Sequence, residues 1–258
     1  MDFNHSVPFA VANNAKYKQI GYEGFEDFDF PYPCDEYHWS FLENIDQNAF
    51  IDSTYKHSGK FSLKVITGDS QSVVRSMLNL TDTSARSTNH TYVHTVNDNI
   101  GIFNPDSGVY VIGAWLKDSV SAYDTSFLQP TIKVILKNNG TIVNTYSFKA
   151  SGKIIEGWQR LEGVFTIPSS GVNTVEVKLM ASSSHCSWFD DLRIHPFNSN
   201  MKSYAYDPIT LRLMAEMDEN NYASFYEYDQ EGNLMRVKKE TENGISTLKE
   251  SRSSIKKR

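Results

Sequence analysis

Apolar side chains recur at every second position in short runs broken by Gly, Asn and Ser, and this constrains the chain more than any other feature. In Lys60–Ile66 the side chains Phe61, Leu63 and Val65 share one face, while Ser62 and Lys64 share the other. Asn173–Ala181 repeats the pattern, with Val175, Val177 and Leu179 set against Glu176 and Lys178. Such period-two patterning marks strands with one wet face. Thr131–Leu136 and Thr141–Phe148 flank Asn138-Asn139-Gly140, where Asn-Gly supplies the positive φ angles of a tight hairpin. Val109–Lys117, Trp158–Ile167 and Cys186–His195 read as further strands, two of them closed by Pro168 and Pro196, which cannot donate to a ladder. No long amphipathic helical pattern appears. An all-β chain follows, and roughly eight strands over residues 20–197 predict an antiparallel jelly-roll β-sandwich, because sheets with one apolar face must stack to bury it. The Ser-, Thr- and Asn-rich stretch 66–106 predicts strands joined by long loops.

The 258 residues, 40% hydrophobic and 13% aromatic, suffice for a substantial core. A net charge of -6 without a dense Lys/Arg block argues against nucleic acid, whose phosphates need a cationic stripe. No apolar run approaches the ~20 residues of a membrane span, so no membrane insertion is expected. Met1–Ala12 has no basic segment followed by an apolar one, so no signal peptide is expected in this stretch. Cys34 and Cys186 lack zinc-ligand neighbours. They are either two buried thiols or one bridge, which would close a loop of about 150 residues and restrain the unfolded chain by about 4–5 kcal/mol.

After Pro196 the texture changes. Tyr204-Ala205-Tyr206-Asp207 recurs as Tyr226-Glu227-Tyr228-Asp229, a period of 22 residues. Each copy is followed by a turn and a second strand, Arg212–Glu216 and Leu234–Val237. The predicted division is a leader at 1–19, a sandwich at 20–197, two β-hairpins at 198–245 and a flexible basic tail at 246–258. Two repeats leave edges and an apolar face uncovered, so the hairpins should dock on the sandwich or on upstream repeats. Tyr204, Tyr206, Tyr226 and Tyr228 are expected to stack in same-face pairs across the ladder.

Five segments in order, Gly24-Phe25-Glu26-Asp27, His57–Val65, Tyr110–Lys117, Gly157–Arg160 and Trp188–Ile194, resemble the galactose-binding-like jelly rolls that include many carbohydrate-binding modules. The Tyr-Asp copies resemble the YD repeats of bacterial Rhs-type surface proteins over about residues 201–240. The first copy departs from that pattern, with Leu211 where a turn glycine is usual and a turn one residue longer. The jelly-roll resemblance implies a structural calcium held by Glu26, backbone oxygens at Ser58 and Lys60, and Asp190 or Asp191. Strand alternation lets only one of those aspartates face the site. It also implies a glycan ligand resting on aromatic rings, because the C–H face of a pyranose packs on a ring while neighbouring polar groups take its hydroxyls. Tyr32, Tyr37, Trp39 and Trp115 are the candidates, with Trp39 foremost. Trp158 and Trp188, in alternating strands, are expected in the core.

Nothing marks catalysis. There is no nucleophile elbow, no Cys/His signature and no phosphate-cradling glycine loop. His90 and His94, on one face of a strand, would stand roughly 13 Å apart, too far to share an ion. The expectation is a non-enzymatic binding and presentation module of a larger secreted or cell-surface bacterial YD-repeat protein. Its partners would be a glycan, upstream repeats or a surface or secretion protein. The alternatives are a protein-binding terminal domain of an export or adhesion apparatus and, last, a polysaccharide-degrading enzyme.

Overall fold

The computed structural model describes residues 7–26, 49–67, 70–76, 103–119, 130–182 and 185–251. Two antiparallel sheets form the jelly roll. A central sheet runs β3 (Ala49–Asp52), β4 (Ser62–Val65), β12 (Ser187–Pro196), β6 (Gly108–Asp118), β10 (Trp158–Ile167) and β9 (Ile154–Ile155), with β2 (Gly21–Glu23) also paired to β12. An outer sheet runs β5 (Ser70–Ser76), β11 (Thr174–Met180), β7 (Thr131–Asn138) and β8 (Thr141–Lys149). The predicted hairpin joins β7 to β8, with Asn139 at φ +49° and Gly140 at φ +82°. The alternating residues meet between the sheets as anticipated. Ile112, Ala114, Leu161, Phe165, Phe189, Leu192 and Ile194 of the central sheet face Ile132, Val134, Leu136, Val175, Val177 and Leu179 of the outer one.

A third layer covers the other face of the central sheet. It contains β13 (Asn200–Tyr206), β14 (Leu213–Met217), β15 (Ala223–Tyr228), β16 (Leu234–Thr241) and β17 (Gly244–Glu250), paired in chain order as a meander. Its sixth strand is β1 (Ala10–Asn13), which lies antiparallel on β13 with Ala10 opposite Ser203. Residues 10–13 are therefore part of this sheet and not a leader, and β17 carries the meander to Glu250, beyond the predicted boundary at 245. With both faces covered, every residue of β12 is buried.

Three aspartates turn the meander. Asp207 Oδ1 accepts the N–H groups of Ile209 and Thr210, Asp218 Oδ1 those of Asn220 and Tyr222, and Asp229 Oδ1 those of Glu231 and Asn233. An aspartate that bonds the backbone two residues on mimics a turn, which is why the chain reverses at each. The tyrosines act differently from the expected cross-ladder stack. Tyr204 and Tyr206 lie 6.4 Å apart along one strand, Tyr206 meets Phe9 at 6.4 Å, and the hydroxyls of Tyr226 and Tyr228 donate to Glu216 and to the Leu213 carbonyl.

The longer first turn forms, at a conformational cost. The Leu211 N–H donates to the Asp207 carbonyl with Leu211 held at φ +55°, where the other two turns place Asn221 and Gly232. A left-handed residue with a Cβ is disfavoured by about 1–2 kcal/mol. Leu211→Gly is expected to stabilise the protein by about 0.5–1 kcal/mol, the relief of strain outweighing the entropy glycine adds to the unfolded chain. A denaturant melt with an unchanged or lower midpoint would show that the leucine's packing matters more.

Candidate functional site

The site lies where three segments far apart in sequence meet under the meander. At the end of β2, Phe25 takes φ +60°, which turns the chain so that its ring enters the core while Glu26 faces the turn at 57–61. That turn hinges on Gly59, at φ +58°. A Cβ there would sit 2.1 Å from Glu26 Oε1, so only glycine lets the carboxylate approach. Glu26 Oε1 accepts the Lys60 N–H at 2.7 Å and the Phe61 N–H at 2.9 Å, while Oε2 is buried with no hydrogen-bond partner.

Both aspartates of β12 reach this turn, contrary to the expectation that alternation would send one away. The β12–β6 register slips between Asp190 and Arg193, and Asp191 has φ +49°. This is a β-bulge, in which one extra residue re-aims a side chain that strict pleating would point elsewhere. Asp190 Oδ2 accepts the His57 and Ser58 N–H groups at 2.8 and 3.2 Å, and Oδ1 accepts the Asp191 N–H. Asp191 Oδ1 accepts the hydroxyls of Tyr22 and Ser58 at 2.8 and 2.7 Å.

His57 carries the only strong positive charge placed inside this cluster among the described residues. Its ring stacks on Trp115 at 4.1 Å and 13°. Nδ1 stands 2.6 Å from Asp191 Oδ2, and Nε2 stands 3.1 Å from both oxygens of Glu240, which arrives from β16. Burial alone would lower the imidazole, but the hydrogen bonds to Asp191 and Glu240 overcome it and hold His57 up to about 10. Both nitrogens are thus protonated at neutral pH and donate. Burial pushes Glu26 up to about 8 against the pull of the Phe61 and Lys60 amides. Burial, then the charge of Asp191, pushes Asp190 well above the usual carboxylate range.

The cluster therefore holds more carboxylate than it can neutralise, and the spare ligand oxygen is Glu26 Oε2. Among the described residues no three His, Cys, Asp or Glu side chains converge on one metal position. Calcium, however, takes carbonyl as readily as carboxylate oxygens. Within the cluster, Glu26 Oε2 is the buried carboxylate oxygen that lacks a hydrogen-bond partner.

Of the predicted aromatic platform, Trp115 is misplaced: its exposure is 0%. Its indole N–H donates to the Asn221 carbonyl at 2.6 Å, and it packs with Trp158 and Trp188 beneath Tyr222 and Ile245. The three tryptophans do lie in a core, but that core is between the central sheet and the meander. Arg193 fastens the same interface. Its buried guanidinium donates to the carbonyls of Met201, Asp218 and Glu219 at 3.3, 2.8 and 2.6 Å. Tyr32, Tyr37, Trp39 and Cys34 lie outside the described residues. Cys186 stands 3.7 Å from the Thr67 hydroxyl, and the bridge considered from sequence falls on Cys34, outside the described residues. His57 and Glu240 escaped the sequence reading, since nothing local distinguishes a histidine in a Lys-His-Ser turn or a glutamate in a charged strand.

Neither a protein-family model nor a curated protein matches the sequence. Solved structures similar to the chain include one described as a family 16 carbohydrate-binding module, at 14% identity and a TM-score of 0.35, covering 57% of this chain and 84% of that one. A second is TmCBM61 in complex with beta-1,4-galactotriose, at 10% identity and a TM-score of 0.31, covering 70% and 91%. A third is the CBM22-1 xylan-binding domain of Paenibacillus barcinonensis Xyn10C, at 14% identity and a TM-score of 0.32, covering 58% and 82%. With likeness at that level, the jelly-roll assignment rests on the strand pairing itself.

Proposed function

We propose that this chain is a non-enzymatic carbohydrate-binding and presentation module stabilised by calcium, within a larger secreted or surface-attached bacterial YD-repeat protein. The observation that carries the reading is the meeting of Glu26, the Ser58–Lys60 turn and Asp190 in one buried cluster. These positions stand far apart in sequence, and only the resemblance to carbohydrate-binding jelly rolls had linked them. Glu26 is the lead ligand because it keeps a free oxygen. Asp190, whose oxygens accept only backbone N–H groups, is preferred over Asp191, whose Oδ2 is held by the His57 ring at 2.6 Å. The bound ion would supply the positive charge this cluster lacks, and Gly59 and the bulge at Asp191 hold the carboxylates in place.

With Trp115, Trp158 and Trp188 covered, Trp39 is the tryptophan left for a sugar, together with Tyr32 and Tyr37. Upstream YD hairpins of the same polypeptide are the proposed neighbours of the meander. The test is a glycan array with the whole chain, read with calcium and with EDTA, and repeated with Trp39→Ala. Defined sugar hits lost in the variant support the reading. Silence on sugars with one defined protein captured would favour the terminal domain of an export or adhesion apparatus. Calcium at one hundred times its Kd is expected to stabilise the native state by about 2.7 kcal/mol. For a chain of this size that is roughly 5–10 °C in Tm. A melt indifferent to EDTA would remove Glu26, Ser58, Lys60 and Asp190 from the role of ligands.

A further inference from the structure

A cleft of about 460 Å³ that includes no residue of the acidic cluster lies where the start of β6, the end of β12 and the turn at Tyr17–Gln19 come together. We infer that it is a second saccharide site, for a neutral sugar, with Phe197 as its platform. The inference does not depend on the loop site proposed above.

Its lining is the chemistry a neutral sugar needs. Phe197 is 59% exposed, more than any other described aromatic ring, and Val109 beside it is also exposed. Around this apolar patch stand the amides of Asn14, Gln19 and Asn198 and the hydroxyl of Ser107, and no lining residue carries a charge. Amides both donate and accept, which suits the paired hydroxyls of a pyranose whose C–H face rests on a ring. The nearby Asp106 is paired with Lys16 and Lys18, and none of these three charged residues lines the cleft. The volume falls within the range of small-molecule sites.

The frame is fixed in advance. The Phe197 N–H donates to the Val109 carbonyl at 2.9 Å, and the Asn104 N–H to the Lys18 carbonyl at 2.9 Å. Asn14, itself at φ +58°, donates its side-chain amide to the Asn198 carbonyl at 2.8 Å, tying the end of β1 to the end of β12. Gln19 holds its amide 3.3 Å from the Tyr110 hydroxyl and 3.4 Å from Asp106, long contacts that a ligand hydroxyl can replace. A preformed polar rim around an exposed ring loses little freedom on binding.

The experiment is amide NMR on the whole chain titrated with β-1,4-galactotriose, xylohexaose and, as an anionic control, a glucuronic acid oligomer. At least one neutral probe should shift the amides of Ser107, Phe197 and Asn198, while the anionic one leaves them still. Phe197→Ala should weaken that binding by about tenfold or more without moving Tm, because the ring is already largely in water. Trp39→Ala should leave the shifts at Ser107, Phe197 and Asn198 in place. Amides that stay unmoved by every neutral probe, or shifts that survive Phe197→Ala or vanish with Trp39→Ala, would overturn the second site. Only the last of these outcomes would favour the loop site.

Discussion

A chain ending at Ser199 is expected to lose its monodispersity and roughly 10–20 °C of Tm. Without the meander, the face of the central sheet that carries Trp115, Trp158 and Trp188 is open to water, and β1 loses its partner strand. Each such ring has some 150–250 Å² of surface. If a third of it is exposed on all three, at about 25 cal/mol per Å², the loss is on the order of 5 kcal/mol. At about 2–4 °C per kcal/mol for a chain of this size, this accounts for the shift. Arg193 would lose its three carbonyl acceptors as well. The shortened chain should bind a hydrophobic dye, and its tryptophan emission should move to the red. An unchanged melt and emission would mean that the meander does not cover the sandwich in solution.

Glu240→Leu is expected to destabilise the intact protein by about 3–5 kcal/mol, since it leaves buried, protonated His57 with one of its two acceptors. The Ala223 N–H loses its acceptor in the same change. Lys153→Ala serves as a control, because its contact to Asn243 is exposed, and it should be near neutral. The pH dependence follows from the direction of the shift. His57 is raised from 6.5 to about 10 in the folded state. Its contribution is therefore complete below pH 6.5 and is lost as pH rises through 10, a swing on the order of several kcal/mol. Glu26, raised from 4.5 to about 8, makes the calcium-free protein lose stability over that interval too. Bound calcium should cancel the Glu26 part and leave the His57 part. In Glu240→Leu the alkaline loss should shrink and the imidazole should titrate lower by NMR. A variant as stable as the parent, with an unmoved imidazole, would show that the pair does not hold the layers together.

The strands that alternate cleanly were legible from the residues alone. Trp158–Ile167 is observed with the predicted limits, and Asn139-Gly140 turns the predicted hairpin. Alternation reports which residues share a face but not what covers it. Trp115 accordingly looked like a surface ring, when a second apolar layer lies on its side of the sheet. The bulge at Asp191 breaks the period from which it would have to be read, so the joint approach of Asp190 and Asp191 was invisible. The aspartate turns at 207, 218 and 229 fall 11 residues apart, and this finer spacing was readable. The Tyr-x-Tyr signature that drew attention to the 22-residue period is missing before Asp218, where Ala215-Glu216-Met217 stands.

The pairing of β1 with β13 has a consequence for how the protein is made. Ala10 must wait for Ser203 to leave the ribosome before it has a strand to join, so this sheet closes only after the whole sandwich has been synthesised. Such distant contacts are slow to form. In the interval the tryptophan face and the bare edge of β13 are open to other chains, which makes the nascent protein a client for chaperones. Once closed, the β1–β13 ladder laces together the two segments that flank the sandwich.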